Sequence, residues 1–206
     1  FGLLNEHPLN LMRAAKGLRK ANSLWFWSPG KKPSLPSFTE RTGLSGSVVC
    51  AVDLIKGIGI CAGMHVPYVE GATGTLDTNY RGKADTALEE LKTHDLVYIH
   101  VEAPDECGHQ GNTADKIKAI ENIDEYILRP VMKELERRGE HFRLLLLPDH
   151  PTPIALRTHV REPIPFVIYD SEDHPQSGVP SYFDHSGDNG VFVADGDKLI
   201  DMLIRK

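Results

Sequence analysis

From Ser47 onward, short apolar runs of β-type residues alternate with stretches of helical periodicity, and this rhythm limits what the chain can fold into. Residues 47–52, 66–69, 95–101, 143–147 and 165–169 read as strands. Between them, residues 54–64, 83–93 and 114–138 read as helices, with Gly57, Gly59 and Gly63 weakening the first. In the long segment Ile117, Ile120, Ile123, Ile127, Val131 and Leu135 recur at spacings of three and four, which predicts one buried face. Pro130 is expected to kink or split this helix. Residues 197–204 read as a closing helix. Strand, helix and strand repeated in this way predict an α/β fold, a mostly parallel sheet with helices on both faces.

The N-terminal stretch has another character. Residues 1–22 carry a helical pattern through Leu9, Met12 and Leu18, with Asn5 or Asn10 as caps. Trp25, Phe26 and Trp27 read as a short apolar strand. The loop that follows holds three prolines, so residues 23–38 contain the best boundary in the chain. Residues 38–43 read as a short helix ended by Gly43, and residues 170–189 as a long surface loop.

The polar residues at the strand ends carry the chemistry. Asp105 and His109 stand in Ala103-Pro-Asp-Glu-Cys-Gly-His109, on the loop expected to leave the 95–101 strand, with Gly108 letting the backbone bend. Asp149 and His150 follow the apolar run 144–148 directly, and His159 comes nine residues later. Open α/β sheets bind ligands beyond the carboxyl ends of their strands. Aspartate and neutral histidine are donors for divalent ions. Five donors are too many for one four-coordinate ion with an open position, so the pattern suggests a two-metal site for phosphoryl transfer. Taken singly, each cluster also reads as a hydrogen-bonded loop pair or a solvated strand end. Lys56, ahead of a flexible glycine pair, reads equally as a phosphate contact and as a solvated helix lysine. Arg157 and Arg161 flank His159 and read equally as anion contacts and as surface cations. Gly71-Ala-Thr-Gly74 reads as a plain turn, and Cys107 as a bystander.

Composition narrows the classes of partner. A formal charge of −6 leaves no basic footprint for nucleic acid. No apolar run approaches membrane-spanning length, and no signal-peptide pattern is present. Cys50, Cys61 and Cys107 fit a reduced, cytoplasmic setting better than a disulfide framework. The chain opens on Phe1 and not on methionine, so it is expected to be a piece of a longer protein.

Four stretches together resemble the archaeal-type, cofactor-independent (2,3-bisphosphoglycerate-independent) phosphoglycerate mutases of the alkaline phosphatase superfamily. They are Ser47-Val-Val-Cys-Ala-Val-Asp-Leu-Ile-Lys-Gly-Ile-Gly59, Gly71-Ala-Thr-Gly-Thr-Leu-Asp-Thr-Asn-Tyr80, His100-Val-Glu-Ala-Pro-Asp-Glu-Cys-Gly-His109, and Leu147-Pro-Asp-His-Pro-Thr-Pro153 followed by Arg157-Thr-His159. The resemblance implies an alkaline-phosphatase-like core and two divalent ions drawn from manganese, magnesium, cobalt and zinc. It implies that Asp105, His109 and His159 hold one ion, and that Asp149 and His150 supply two ligands of the other. Lys56 would act on the phosphate and Arg157 on the substrate. The family's remaining ligands, an aspartate and a nucleophilic serine, come from the first half of a chain about twice this length and have no counterpart here. The expected organisation is therefore residues 1–22 as the end of an inserted substrate-gripping domain and residues 23–206 as the C-terminal half of the metal-binding domain. The implied activity of the full-length enzyme is interconversion of 2- and 3-phosphoglycerate through a phosphoserine, in glycolysis and gluconeogenesis. The expected partner is a small phosphorylated molecule, not nucleic acid or membrane, and a homo-oligomer is left open. The alternatives are another phosphoester or phosphonate hydrolase or transferase of the same superfamily, and a non-catalytic metal-binding fragment.

Overall fold

The structure, a computed structural model, describes residues 1–26, 29–173 and 179–204. It divides into two compact units, Phe1–Ser34 and Leu35–Lys206. The division falls within the proline-bearing stretch.

The first unit carries helices α1 (Gly2–Asn5) and α2 (Pro8–Ala15). Neither expected asparagine caps α2. His7 does so, accepting from the Leu9 N–H, with Pro8 following where no N–H is needed. Asn10 instead is buried, with its amide bonded to the carbonyls of Leu4 and Ala21 and its oxygen to the Ala21 N–H. One side chain thus ties both helices to the returning chain. Trp25 and Phe26 form no strand and are exposed, and Trp27 lies outside the described residues.

The second unit opens with α3 (Phe38–Thr42), started by a reciprocal Ser37–Glu40 capping box and ended by Gly43 at φ 76°. Strand β1 (Gly46–Val49), buried throughout, leads into α4 (Asp53–Cys61). Gly59 lets α4 lie close on the sheet: a Cβ there would stand 3.0 Å from Val48 and 3.2 Å from Val66. The expected strand over 66–69 does not form. Only His65 pairs, in a parallel bridge to Ser47, because Pro67 has no N–H for a ladder. Helix α5 (Tyr80–Glu90), capped by Asn79, returns the chain to β2 (Leu96–Ile99). Strands β1 and β2 are parallel, with Gly46 opposite Leu96 and Val49 opposite Ile99. The α/β class expected from the sequence is therefore what forms.

After β2 come α6 (Ala103–Gln110) and α7 (Thr113–Ile123). Next are one π-helical turn (Asp124–Leu128) and α8 (Arg129–Arg138). The disturbance expected at Pro130 lies just before it: the Arg129 N–H reaches back five residues to Asp124. Proline removes one i→i−4 bond and crowds the carbonyl four residues earlier, and the wider turn relieves both. Ile127, Val131 and Leu135 are buried as expected, against Tyr80, Ala84 and Ala103. Ile117 and Ile120 are exposed, and Ala119 and Asn122 are buried in their place. Repeated steps of three rotate about 60° per step around a 3.6-residue helix, so those isoleucines drift off the face.

Strand β3 (Arg143–Leu146) pairs with β4 (Val167–Asp170), and this pair is antiparallel. The link between them contains no helix, and a parallel return needs a crossover, usually a helical one. The chain closes with a 3₁₀ turn (Gly196–Lys198) and α9 (Leu199–Ile204). Among the loop residues 171–189, those at 174–178 lie outside the described residues, and the others form neither helix nor strand.

Candidate metal centre

Asp105 and His109 lie not on a loop but on α6, one turn apart on one face. Gly108 is helical, and its purpose is close approach, not bending. A Cβ there would meet the Thr152 carbonyl oxygen at 2.7 Å. The Lys116 ammonium donates to that same carbonyl at 2.7 Å. So held, buried Thr152 donates its hydroxyl to Asp105 Oδ1 and stands 3.3 Å from His150 Nδ1.

The loop then brings His159 back over α6. His109 Nε2 lies 3.1 Å from His159 Nε2, and each is 3.3 Å from an oxygen of Asp105. Bonds of about 2.0–2.1 Å to a tetrahedral ion imply a donor–donor edge of about 3.3 Å. His109 faces Asp105 Oδ2 and His159 faces Oδ1, so each imidazole stands at about this spacing from its own carboxylate oxygen and from the other imidazole. The Arg157 carbonyl can only accept, so His109 donates its Nδ1–H to it at 3.0 Å, which orients the ring with Nε2 toward Asp105 and His159. Two imidazoles and one carboxylate suit zinc, manganese, cobalt and similar ions.

His150 lies between two groups. Its ring lies against that of His159, tilted by 33° with centroids 3.7 Å apart, and its Nδ1 is 4.0 Å from Asp105. Its Nε2 is 3.4 Å from Asp149, whose other neighbour is His100 at 4.0 Å. His100 chiefly, and His150 with it, hold the Asp149 carboxyl below the usual range against the opposing effect of burial. The second group is thus Asp149 and His150, with His100 and Glu102 alongside: His100 Nδ1 is 3.6 Å from Glu102.

Five of the residues singled out in the sequence are brought together here, namely Asp105, His109, Asp149, His150 and His159. Arg157 joins them through its backbone carbonyl, and its guanidinium packs over Gly111, where a Cβ would meet Nε at 2.5 Å. The Lys56 ammonium pairs with Asp53 at 3.0 Å on the first turn of α4. Thr152, Lys116, His100 and Glu102 escaped the sequence reading. Proximity in sequence to the Asp149-His150 pair was the only signal for Thr152. Lys83 also escaped it. Its ammonium is fully buried, bonds the His100 carbonyl at 2.9 Å, and is pushed down to about 8 by burial. Cys107 is buried, and burial pushes its thiol up, as suits a bystander. Among the described residues no helix is long and apolar enough to cross a membrane.

Residues 5–200 match the Metalloenzyme superfamily. The chain is 49% identical over 203 residues to a probable 2,3-bisphosphoglycerate-independent phosphoglycerate mutase of Geobacter sulfurreducens. It is 50% identical over 204 residues to a 2,3-bisphosphoglycerate-independent phosphoglycerate mutase of Methanosarcina acetivorans. Each match takes in 98% of this chain and 51% of the relative, so the chain spans about half the length of the curated relatives it matches. Among solved structures, a cofactor-independent phosphoglycerate mutase of Thermoplasma acidophilum superposes with a TM-score of 0.60 at 27% identity, over 98% of this chain and 48% of that one. A protein of Pyrococcus horikoshii gives 0.70 at 32% identity, over 82% of this chain and 44% of its own. The gathered Asp and His donors agree with the family match across nearly the whole sequence, and the chain belongs to the Metalloenzyme superfamily.

Proposed function

We propose that this chain carries the metal-binding half of a metal-dependent phosphoglycerate mutase that interconverts 2- and 3-phosphoglycerate. The observation that carries the reading is the grouping of Asp105, His109 and His159, whose imidazoles lie 3.1 Å apart and 3.3 Å from the two oxygens of Asp105, in a chain 50% identical to such a mutase over 204 residues. Asp105, His109 and His159 hold one divalent ion, and Asp149 and His150 supply two ligands of another. Divalent ions bound there neutralise charge on a transferring phosphoryl group and favour an ionised oxygen nucleophile. Thr152 orients Asp105, and the Arg157 carbonyl orients His109. Lys56 and the Arg157 guanidinium supply positive charge toward the phosphate and carboxylate of the substrate. The serine that takes the phosphoryl group, and an aspartate ligand, come from residues outside this sequence. On this reading residues 1–22 end a substrate-gripping domain, manganese is one of the fitting ions, and the enzyme works in the cytoplasm in glycolysis and gluconeogenesis.

The test is to incubate the protein, expressed from its complete reading frame, with 3-phosphoglycerate. Formation of 2-phosphoglycerate, abolished by a chelator and restored by manganese, is the expected result. Release of inorganic phosphate without the isomer would sink the mutase reading and leave a phosphoester hydrolase of the same superfamily.

A further inference from the structure

We infer that His65, Glu90 and His94 form a separate binding site for a zinc-like transition-metal cation. These residues lie away from the centre described above. His65 pairs with Ser47 and His94 stands two residues before β2, so the cluster sits by the starts of the parallel strands. The Asp105 cluster follows their ends.

Each donor is carried on a fixed backbone. The His65 N–H bonds the Gly46 carbonyl, and its own carbonyl accepts from Val48. Glu90 is the last residue of α5, and the His94 N–H bonds its carbonyl at 2.9 Å. Both imidazoles converge on the same carboxylate oxygen. His65 Nδ1 is 2.7 Å and His94 Nδ1 3.4 Å from Glu90 Oε2. The two rings are parallel within 1°, with centroids 5.6 Å apart. The three donor atoms all lie within 4.8 Å of one another.

The Glu90 side chain is 13% exposed, whereas that of His65 is 55% exposed. A mostly buried carboxylate whose one oxygen faces two imidazoles is a donor set of the His₂Glu kind, with three protein ligands and an open side for water. The His94–Glu90 distance already matches a tetrahedral edge, and exposed His65 is free to open by the few tenths of an ångström it needs. In the metal-free arrangement His94 Nδ1 faces the Glu90 carbonyl at 3.2 Å and Thr93 Oγ1 at 3.1 Å, contacts it would exchange for the ion. Two imidazole donors select zinc, cobalt, nickel or copper over magnesium and calcium.

The experiment is equilibrium dialysis of the complete protein against zinc chloride, with bound zinc measured by mass spectrometry. His94→Gln and Glu90→Gln are each expected to lose one equivalent of zinc, or to bind it at least tenfold more weakly, with unchanged circular dichroism. His65→Gln, a change at a half-exposed side chain, repeats the test where folding is least at risk. His109→Ala should lose a different equivalent, so that the double variant His65→Gln/His109→Ala loses both. Zinc binding by His65→Gln equal in stoichiometry and affinity to that of the unaltered protein overturns the site.

Discussion

The Arg157 carbonyl accepts the Nδ1–H of His109 at 3.0 Å, and Arg157 reaches that position with φ at 55°. It is the one non-glycine residue with positive φ among the described residues. A left-handed backbone costs an ordinary L-residue about 1–2 kcal/mol, and such strain concentrates where it positions a functional group. Here it turns a carbonyl toward His109, one of the proposed metal ligands. Comparing Arg157→Gly with Arg157→Ala isolates the backbone cost, because both lose the guanidinium. The glycine variant is expected to be the more stable by about 1 kcal/mol in urea unfolding. Equal midpoints and slopes would show that the conformation costs nothing.

Thr152 is expected to control the first ion without touching it. Its hydroxyl holds one oxygen of Asp105, and the partners behind metal ligands commonly contribute 10–100-fold in affinity. Thr152→Val keeps the shape and removes the donor. Manganese titration by calorimetry should show affinity for the first ion lowered by about 10–100-fold, with Thr152→Ser close to the parent. Unchanged affinity in the valine variant would make the hydroxyl incidental.

Gly108 and Gly57 offer opposite outcomes for one substitution. At Gly108 a methyl group would press on the Thr152 carbonyl at 2.7 Å, whereas at Gly57 nothing lies within 4 Å. Gly108→Ala is expected to destabilise by about 1–3 kcal/mol and to weaken metal binding as Thr152 is pushed from Asp105. Gly57→Ala, within α4, should stabilise by about 0.5–1 kcal/mol. Denaturant midpoints of the two variants decide it, and a stable, metal-tight Gly108→Ala would contradict the close approach.

Lys83 gives the fold a pH dependence of known sign. Burial lowers its ammonium from the ordinary 10.5 to about 8, so between these values the unfolded chain holds the proton more than the native one. Stability contributed by this group therefore rises with pH across that interval. The penalty for burying charge is fully present below about 8 and fades toward 10.5. At its largest the penalty is about 3 kcal/mol. Subtracting the stability curve of Lys83→Met from that of the parent, measured from pH 7 to 10.5, should leave a rising difference. A flat difference would mean that the ammonium is well solvated in the native state.

That Asp and His side chains gather beyond strand ends was legible because their chemistry is local. A carboxylate and an imidazole straight after an apolar run have to leave the core at a strand end, and Asp149 and His150 do so. The alternation of strand and helix was equally legible, since periods of two and 3.6 are written in adjacent residues. Where local rules failed, a specific residue shows why. Pro67 cancels a strand that Val66 and Val69 suggested, and the π turn before Pro130, with steps of three in α7, leaves Ile117 and Ile120 outside.

Periodicity along the chain therefore establishes the α/β class and the kinds of ligand available, and it leaves their partners open. The Thr152–Asp105 bond joins residues 47 apart, and the His109–Arg157 bond joins residues 48 apart. His65 and Glu90 meet across 25. Such meetings depend on how closely α6 approaches the 151–159 loop and on where α5 ends beside the sheet. Those distances are set by packing among many side chains at once, and no short window of sequence contains them.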